Sequence, residues 1–171
     1  MSSIQGWAAS AIRVAYKTPQ GTMHQITSEF EKIPCTVEDT SEIIANIKGL
    51  YLKLADDQEM AVINLAFDGS KKETIAAGDF QSGAVTILNP ERHMMTLTPD
   101  GYLELEMQID LGRGYVPAEE HEKNIDIQDT IAVDSLFSPV TKVAYHIENF
   151  RVGQRADYEK LTIEVWTDGT V

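Results

Sequence analysis

The chain has 171 residues, enough for one domain with a real core. Its 14 Lys and Arg face 27 Asp and Glu, giving a formal net charge of −13. Nucleic-acid binding needs clustered cations, so this charge argues against nucleic acid as a direct partner and favours solubility or a basic protein partner. No apolar run approaches the roughly 20 residues that span a bilayer. A single cysteine, Cys35, leaves no intramolecular disulfide, and we expect a cytoplasmic protein with no membrane partner.

The first part of the chain predicts strands around one strong helix. Alternating apolar residues predict a strand over 11–16, followed by a polar loop or hairpin tip over 17–25. Asp39 and Glu42 have capping-box spacing, and apolar residues at helical spacing follow them. We therefore expect a helix after Asp39, stopped by Gly49 in the left-handed conformation. Two strands are predicted next, over 51–54 and 60–67.

The second part predicts more strands. Short apolar runs predict strands over 84–88, 93–97 and 102–110, and the Thr-Pro-Asp-Gly turn at 98–101 predicts a hairpin between the last two. Two long alternating segments, 141–152 and 160–167, predict a second hairpin. One helix among about eight or nine strands indicates an α+β fold that is mostly β.

A glycine-rich stretch, Gly112-Arg113-Gly114-Tyr115-Val116-Pro117, follows the strand over 102–110. It lacks the third glycine of a dinucleotide fingerprint, and Pro117 interrupts any helix that could present its N terminus to a phosphate. We expect a shaped turn instead, in which the glycines permit positive φ and Tyr115 buries its ring and bonds through its hydroxyl.

The sequence contains no recognisable catalytic constellation. His24, His93, His121 and His146 are far apart, at no metal-ligand spacing, and motifs for a nucleophile elbow or a phosphate loop are missing. We expect no cofactor and no metal. Two function classes stay open: a protein that works through its surfaces, and a stand-alone α+β binding domain or enzyme in which Arg113 forms an anion site.

Several motifs, in order along the chain, carry a family resemblance. They are Ser2-Ser3-Ile4-Gln5-Gly6, Glu29-Phe30, Ile33-Pro34, Val37-Glu38-Asp39, Ile47-Lys48-Gly49-Leu50, Gly112 to Ala118, Val133-Asp134, Phe137-Ser138-Pro139-Val140, Val143-Ala144-Tyr145, Arg151 to Arg155, Leu161-Thr162-Ile163 and Thr167-Asp168-Gly169-Thr170. With these motifs the chain resembles the alpha subunit of bacterial DNA-directed RNA polymerase over nearly its whole length. It departs at Ser28, where the family usually has His, at Cys35, where it has Gly, and over 16–27, which is longer.

The resemblance implies a non-catalytic scaffold in which the polymerase active site is on other subunits. It implies an insert domain over 6–138, and a hairpin over 139–171 that belongs to an incomplete dimerisation domain, with 1–5 as the end of that domain's first helix. By the family's pattern we expect the chain to stop before a later long helix. Because the hairpin would then lack its partners, we expect one apolar face to be uncovered and to self-associate at high concentration.

The resemblance also implies partners and contact residues. The partners are the beta and beta-prime subunits, a second alpha copy in the full-length protein and, for the acidic segment 119–129, transcription activators. The residues implied for docking of the large subunits are Glu38, Asp39, Lys48, Val133 and Asp134. Those implied for activator contact are Glu119, Glu120 and Glu122. Gly112, Arg113, Gly114, Tyr115 and Pro117 are expected to form the structural turn.

Overall fold

A computed structural model describes residues 5–55, 58–123, 129–152 and 155–169. The mostly antiparallel β composition predicted from the sequence is confirmed. The strands are β1 Gly6–Lys17, β2 Met23–Ile26, β3 Leu52–Leu54, β4 Met60–Asp68, β5 Thr74–Ala76, β6 Val85–Ile87, β7 His93–Thr96, β8 Tyr102–Gly112, β9 Tyr115–Val116, β10 Ile131–Ala132, β11 Ser135–Leu136, β12 Val140–Val152 and β13 Arg155–Thr167. The helices are α1 Thr40–Lys48 and α2 Ala118–Glu122, with a 3₁₀ turn at Ala77–Phe80. No helix in the described ranges is long and apolar enough to cross a membrane.

The main sheet has the strand order β4-β8-β1-β3-β6, and all its pairs are antiparallel. β1 and β8 are its two long central strands. β8 pairs with one edge of β1, and β2, β3 and β10 pair with the other edge. The alternation seen in the sequence of β8 fixes its two faces, since Leu103, Leu105, Met107 and Ile109 are buried while the intervening polar residues face outwards.

Helix α1 covers the inner face of this sheet. Ile43, Ile44 and Ile47 are buried in the core, and full burial of each stabilises the fold by roughly 1.5–3 kcal/mol. The side chain of Asn46 fixes the helix to β7, because its Nδ2 donates a hydrogen bond to the Met94 carbonyl oxygen at 2.9 Å. The strong helix predicted from the sequence is therefore a central part of the core.

Both ends of α1 differ in detail from the sequence expectation. Asp39 is the N-cap residue, but its side chain makes no capping hydrogen bond; its backbone oxygen accepts from the Glu42 amide at 3.0 Å. Gly49 has φ −87°, so it is not in the left-handed region. A Cβ at Gly49 would instead overlap the Arg92 guanidinium, so the small residue makes room for a side chain from outside the helix.

The hairpin predicted across the turn at 98–101 is wrong. β7 pairs with β5 in a separate two-stranded sheet, whereas β8 pairs with β1 and β4. The turn itself is present, with the Gly101 amide donating to the Thr98 carbonyl oxygen at 2.8 Å. The residues at 98–101 therefore form the predicted turn, but they do not determine which strands pair. The strand partners are decided by contacts distant in sequence.

The long hairpin of β12 and β13 is formed as predicted, although β13 begins at Arg155 and not at 160. Cross-strand register places three apolar pairs on one face: Val143 with Val165, Tyr145 with Ile163, and Ile147 with Leu161. Each of these side chains is more than half exposed, with values from 51% to 74%. Because an isolated two-stranded hairpin is only marginally stable in water, this uncovered face indicates a surface suited to a partner.

Candidate docking surface

A groove of about 520 Å³ brings several of the implied contact residues together. We call it the α1–α2 groove; its walls come from the turn at 27–30, the C-terminal half of α1, helix α2 and the segment 130–134. Lys48, Asp134, Glu119 and Glu122 all line it. The family resemblance implied two separate contacts for these residues, and the fold arranges them around one groove.

The centre of the α1–α2 groove is an ion pair. The Lys48 ammonium, on the last residue of α1, contacts the Asp134 carboxylate, and the Tyr115 hydroxyl donates to the other carboxylate oxygen at 3.3 Å. Burial raises the pKa of Asp134, but the hydrogen bond and positive charge of Lys48 outweigh it and leave the pKa below its usual value. Partial desolvation and the negative charge of Asp134 raise the pKa of Tyr115.

Phe30 is the feature of this groove that sequence reasoning missed as a site residue. Its side chain is 88% exposed and lies at the rim of the α1–α2 groove. Phenylalanine is enriched in protein interfaces relative to the rest of the surface, so this exposed ring is a candidate anchor. The available signal was its position in a polar run, Thr-Ser-Glu-Phe-Glu-Lys at 27–32, where no periodic pattern places it in a core.

Carboxylates dominate the charge of the groove. Glu29, Glu119, Glu122 and Asp134 line it beside the one ammonium of Lys48. Glu119 and Glu122 belong to α2, which begins directly after Pro117. The expectation that Pro117 interrupts a helix is therefore wrong at this point; its fixed φ is compatible with a helix start. The rest of the acidic segment, 124–128, lies outside the described residues.

The remaining implied docking residues lie elsewhere or are inaccessible. Val133 lines the groove but is only 1% exposed, so its side chain supports the wall from the core. Glu38 and Asp39 lie at the opposite end of α1 from Lys48, roughly 13 Å away at 1.5 Å per residue. The carboxylate of Glu38 accepts hydrogen bonds from His93 at 2.7 Å and from the Thr96 amide at 2.7 Å. Asp39 is exposed, with Lys32 at 3.9 Å.

The glycine-rich stretch is a turn whose two glycines serve different purposes. Gly112 pairs with Gly6 in the last rung of β8 and β1, and a Cβ on Gly112 would lie 2.6 Å from the Phe137 ring. Gly114 has φ +65°, the left-handed conformation that reverses the chain. Its carbonyl oxygen accepts from the Phe137 amide at 2.8 Å. Positive φ was thus predicted correctly for Gly114 and wrongly for Gly112.

Tyr115 and Arg113 of this turn both face solvent. The Tyr115 side chain is 60% exposed, so the expected burial of its ring is wrong, although its hydroxyl is bonded to Asp134 as predicted. Arg113 is exposed, does not line the α1–α2 groove, and has no ion pair among the described residues. The stand-alone binding domain or enzyme with an anion site at Arg113 is therefore not supported.

Comparison with known proteins gives matches over most or all of the chain. Residues 12–138 match the sequence model of the RNA polymerase Rpb3/RpoA insert domain. The whole chain aligns with the DNA-directed RNA polymerase subunit alpha of Borreliella burgdorferi at 42% identity over 171 residues, covering 50% of that protein. It aligns with the same subunit of Moorella thermoacetica at 46% identity over 172 residues, covering 51% of it. The chain spans about half the length of these relatives, and it belongs to the bacterial RNA polymerase alpha subunit family.

Proposed function

We propose that this chain is a scaffold region of an RNA polymerase alpha subunit that supports core enzyme assembly by binding the beta and beta-prime subunits in the bacterial cytoplasm. It contributes no catalytic group, and the nucleotidyl transfer takes place on other subunits. The family membership, the coverage of the entire chain and the name of its relatives support this role.

The α1–α2 groove is the observation that carries the proposal. It combines an exposed aromatic anchor, Phe30, with a half-buried ion pair of Lys48 and Asp134 and a carboxylate rim. This composition suits a protein interface, where exposed aromatic rings and polar groups occur side by side. A large-subunit segment that carries Lys or Arg beside an apolar pocket suits this surface.

A second part of the proposal concerns the two ends of the fold. Residues 6–138 act as the insert domain, and the hairpin over 139–171 belongs to the dimerisation domain that meets a second alpha copy. The uncovered face of Tyr145, Ile147 and Ile163 supports this division. The exposed carboxylates of Glu119 and Glu122 in α2 offer a contact for a basic patch of a transcription activator, together with their neighbour Glu120.

Capture of purified beta and beta-prime by the full alpha subunit tests the proposal. We expect Phe30→Ala combined with Lys48→Ala to weaken capture by at least about tenfold, because removal of an interface aromatic anchor alone costs about 2 kcal/mol or more. Val37→Ala is the matched control, since Val37 is 69% exposed but does not line the groove. Equal capture by the double variant and the control contradicts the proposal.

A further inference from the structure

Strand β4 forms a long, open edge of the main sheet. Among the described strands it pairs only with β8, and its nine residues contain no proline and a single charge, Asp68, at the end. Natural proteins usually protect such edges with charges, prolines, bulges or short strands, because unpaired backbone groups attract other chains. The opposite end of the sheet follows that rule, since β6 has only three residues.

The hydrogen-bond register shows which backbone groups of β4 are free. The Leu111 amide donates to the Glu59 carbonyl oxygen, and the Gly69 amide donates to the Gly101 carbonyl oxygen, both at 2.8 Å. Both pairs follow the register of β4 with β8, in which bonded pairs alternate with non-bonded pairs. The odd-numbered residues of β4 therefore bond to β8. The amides and carbonyls of the even-numbered residues, including Val62 and Asn64, point away from β8, beyond the open edge of the sheet.

The residues that carry these free groups are exposed to solvent. The side chains of the even-numbered residues lie on the outer face of the sheet, where Met60 is 57% and Val62 is 47% exposed. Asn64 and Ala66 are exposed as well. An extended chain can therefore approach this edge and continue the sheet by a further strand, as in other cases of strand addition.

The two faces of the sheet define the side chains that such a strand would carry. On the outer face the register places Glu106 beside Asn64 and Glu104 beside Ala66. Ala15 on β1 lies on the other side of Glu104. A cleft of about 490 Å³ opens over the row formed by Ala66, Glu104 and Ala15. Because Ala66 is small, a long cationic side chain on an added strand can lie across it and reach Glu104.

On the inner face, the added strand lies beside core residues. Ile63 and Phe67 are 4% and 7% exposed, and Leu65 between them is partly buried against the core. Apolar side chains at every second position would extend this core at its margin. A second copy of the chain fits less well, since two molecules of net charge −13 would place their acidic outer faces side by side.

We propose that the free edge of β4 binds an extended segment of a partner protein in which apolar residues alternate with Lys or Arg, by adding it to the main sheet as a further strand. This surface shares no residue with the α1–α2 groove, and the inference goes beyond the proposed function. The backbone groups of Val62, Asn64 and Ala66 supply the hydrogen bonds. Glu104 selects the basic side chains, since Glu106 is already paired with Arg13 at 3.4 Å.

The test uses the protein and a short fluorescent peptide of alternating valine and lysine. Asn64→Pro removes an outward amide without removing a bond to β8, and we expect it to weaken peptide binding by at least about tenfold. Asn64→Thr keeps the amide, and its affinity for the peptide should stay within about twofold of that of the parent protein. If Asn64→Pro does not fold, Val62→Pro removes the neighbouring free amide. Glu104→Gln should weaken binding and reduce its salt dependence.

Amide hydrogen exchange gives an independent readout. In the free protein the amides of Val62 and Asn64 should exchange much faster than those of Ala61 and Ile63, and peptide should slow only the former pair. The inference is overturned if the peptide does not bind at millimolar concentration, or if the proline variants bind it as tightly as the parent. It is equally overturned if the peptide protects amides outside β4 and leaves those of Val62 and Asn64 unprotected. It is also overturned if the free protein forms a dimer that Asn64→Pro dissociates, because β4 would then pair with a second copy.

Discussion

The ammonium of Lys48 and the carboxylate of Asp134 form an ion pair that joins the end of α1 to the segment between β10 and β11. Both side chains are partly buried, with exposures of 38% and 31%. The pair therefore lines the α1–α2 groove while remaining reachable from solvent, so a docked partner would meet it in this arrangement.

A double-mutant cycle measures the strength of this pair. Lys48→Met, Asp134→Asn and their combination should give a coupling free energy of about 0.5–1 kcal/mol in denaturant unfolding, since partial burial reduces solvent screening. The control is the pair of Lys160 and Glu148 on the hairpin, with exposures of 53% and 45%. Its coupling should be smaller. A coupling of zero would contradict a stabilising role for the ion pair of Lys48 and Asp134.

The carboxylate of Glu38 should make the folded protein less stable as the solution becomes acidic. Burial raises the pKa of Glu38, but hydrogen bonds from His93 and from the Thr96 amide and hydroxyl outweigh it, and the pKa lies below the ordinary 4.5. A lowered folded-state pKa stabilises the protein above the unfolded value, and the contribution is lost as pH falls from about 4.5 through the folded pKa. Glu38→Gln should flatten the slope of unfolding free energy in this window and cost about 1–3 kcal/mol near neutral pH. Glu91→Gln, at an exposed position, is the control.

Gly112 should tolerate no side chain. Gly112→Ala places a methyl group 2.6 Å from the Phe137 ring and should destabilise the fold by about 1–3 kcal/mol, the usual cost of overpacking. Gly83→Ala is a matched control, because a Cβ there meets nothing within 4 Å. Phe137→Leu in the Gly112→Ala background should recover part of the loss if the ring is responsible. Equal melting temperatures for the Gly112→Ala and Gly83→Ala variants would contradict the close packing.

The hairpin should self-associate through its apolar face. Ile163→Glu places a charge on that face and should reduce the concentration-dependent mass seen by light scattering, because charge opposes burial of apolar surface. Thr162→Glu is the control, since Thr162 pairs with His146 on the opposite face. A strict monomer at millimolar concentration with the hairpin folded, or equal association by the two variants, would contradict this prediction.

The elements that the sequence predicted well are those whose patterns are local. The alternation along β8 and along the two strands of the hairpin gave their faces and approximate ends, because a strand's two faces follow directly from its period of two. Helix α1 was recognisable from its apolar spacing. The partner of β7 was not recognisable, because it is β5, which has only three residues and is separated from β7 by the 3₁₀ turn and β6.

The docking surface was predictable only in part. Lys48, Asp134 and Glu119 could be selected through a family resemblance, but their common groove could not, since it depends on how α1 and α2 approach β10. Gly49 and Gly112 show a similar limit. Both look like residues chosen for positive φ, whereas each makes space for a side chain, Arg92 or Phe137, that is distant in sequence.

The position of Phe137 has a mechanical consequence. Its ring lies over Gly112, its carbonyl oxygen occupies the space beside Gly6, and its amide bonds to Gly114, so it is held by the adjoining ends of both central strands. Only Ser138 and Pro139 separate it from the start of the hairpin. A load applied to the hairpin is therefore carried into β1 and β8 along a short, stiff path. A pull on the hairpin would therefore act directly on the adjoining ends of the two central strands.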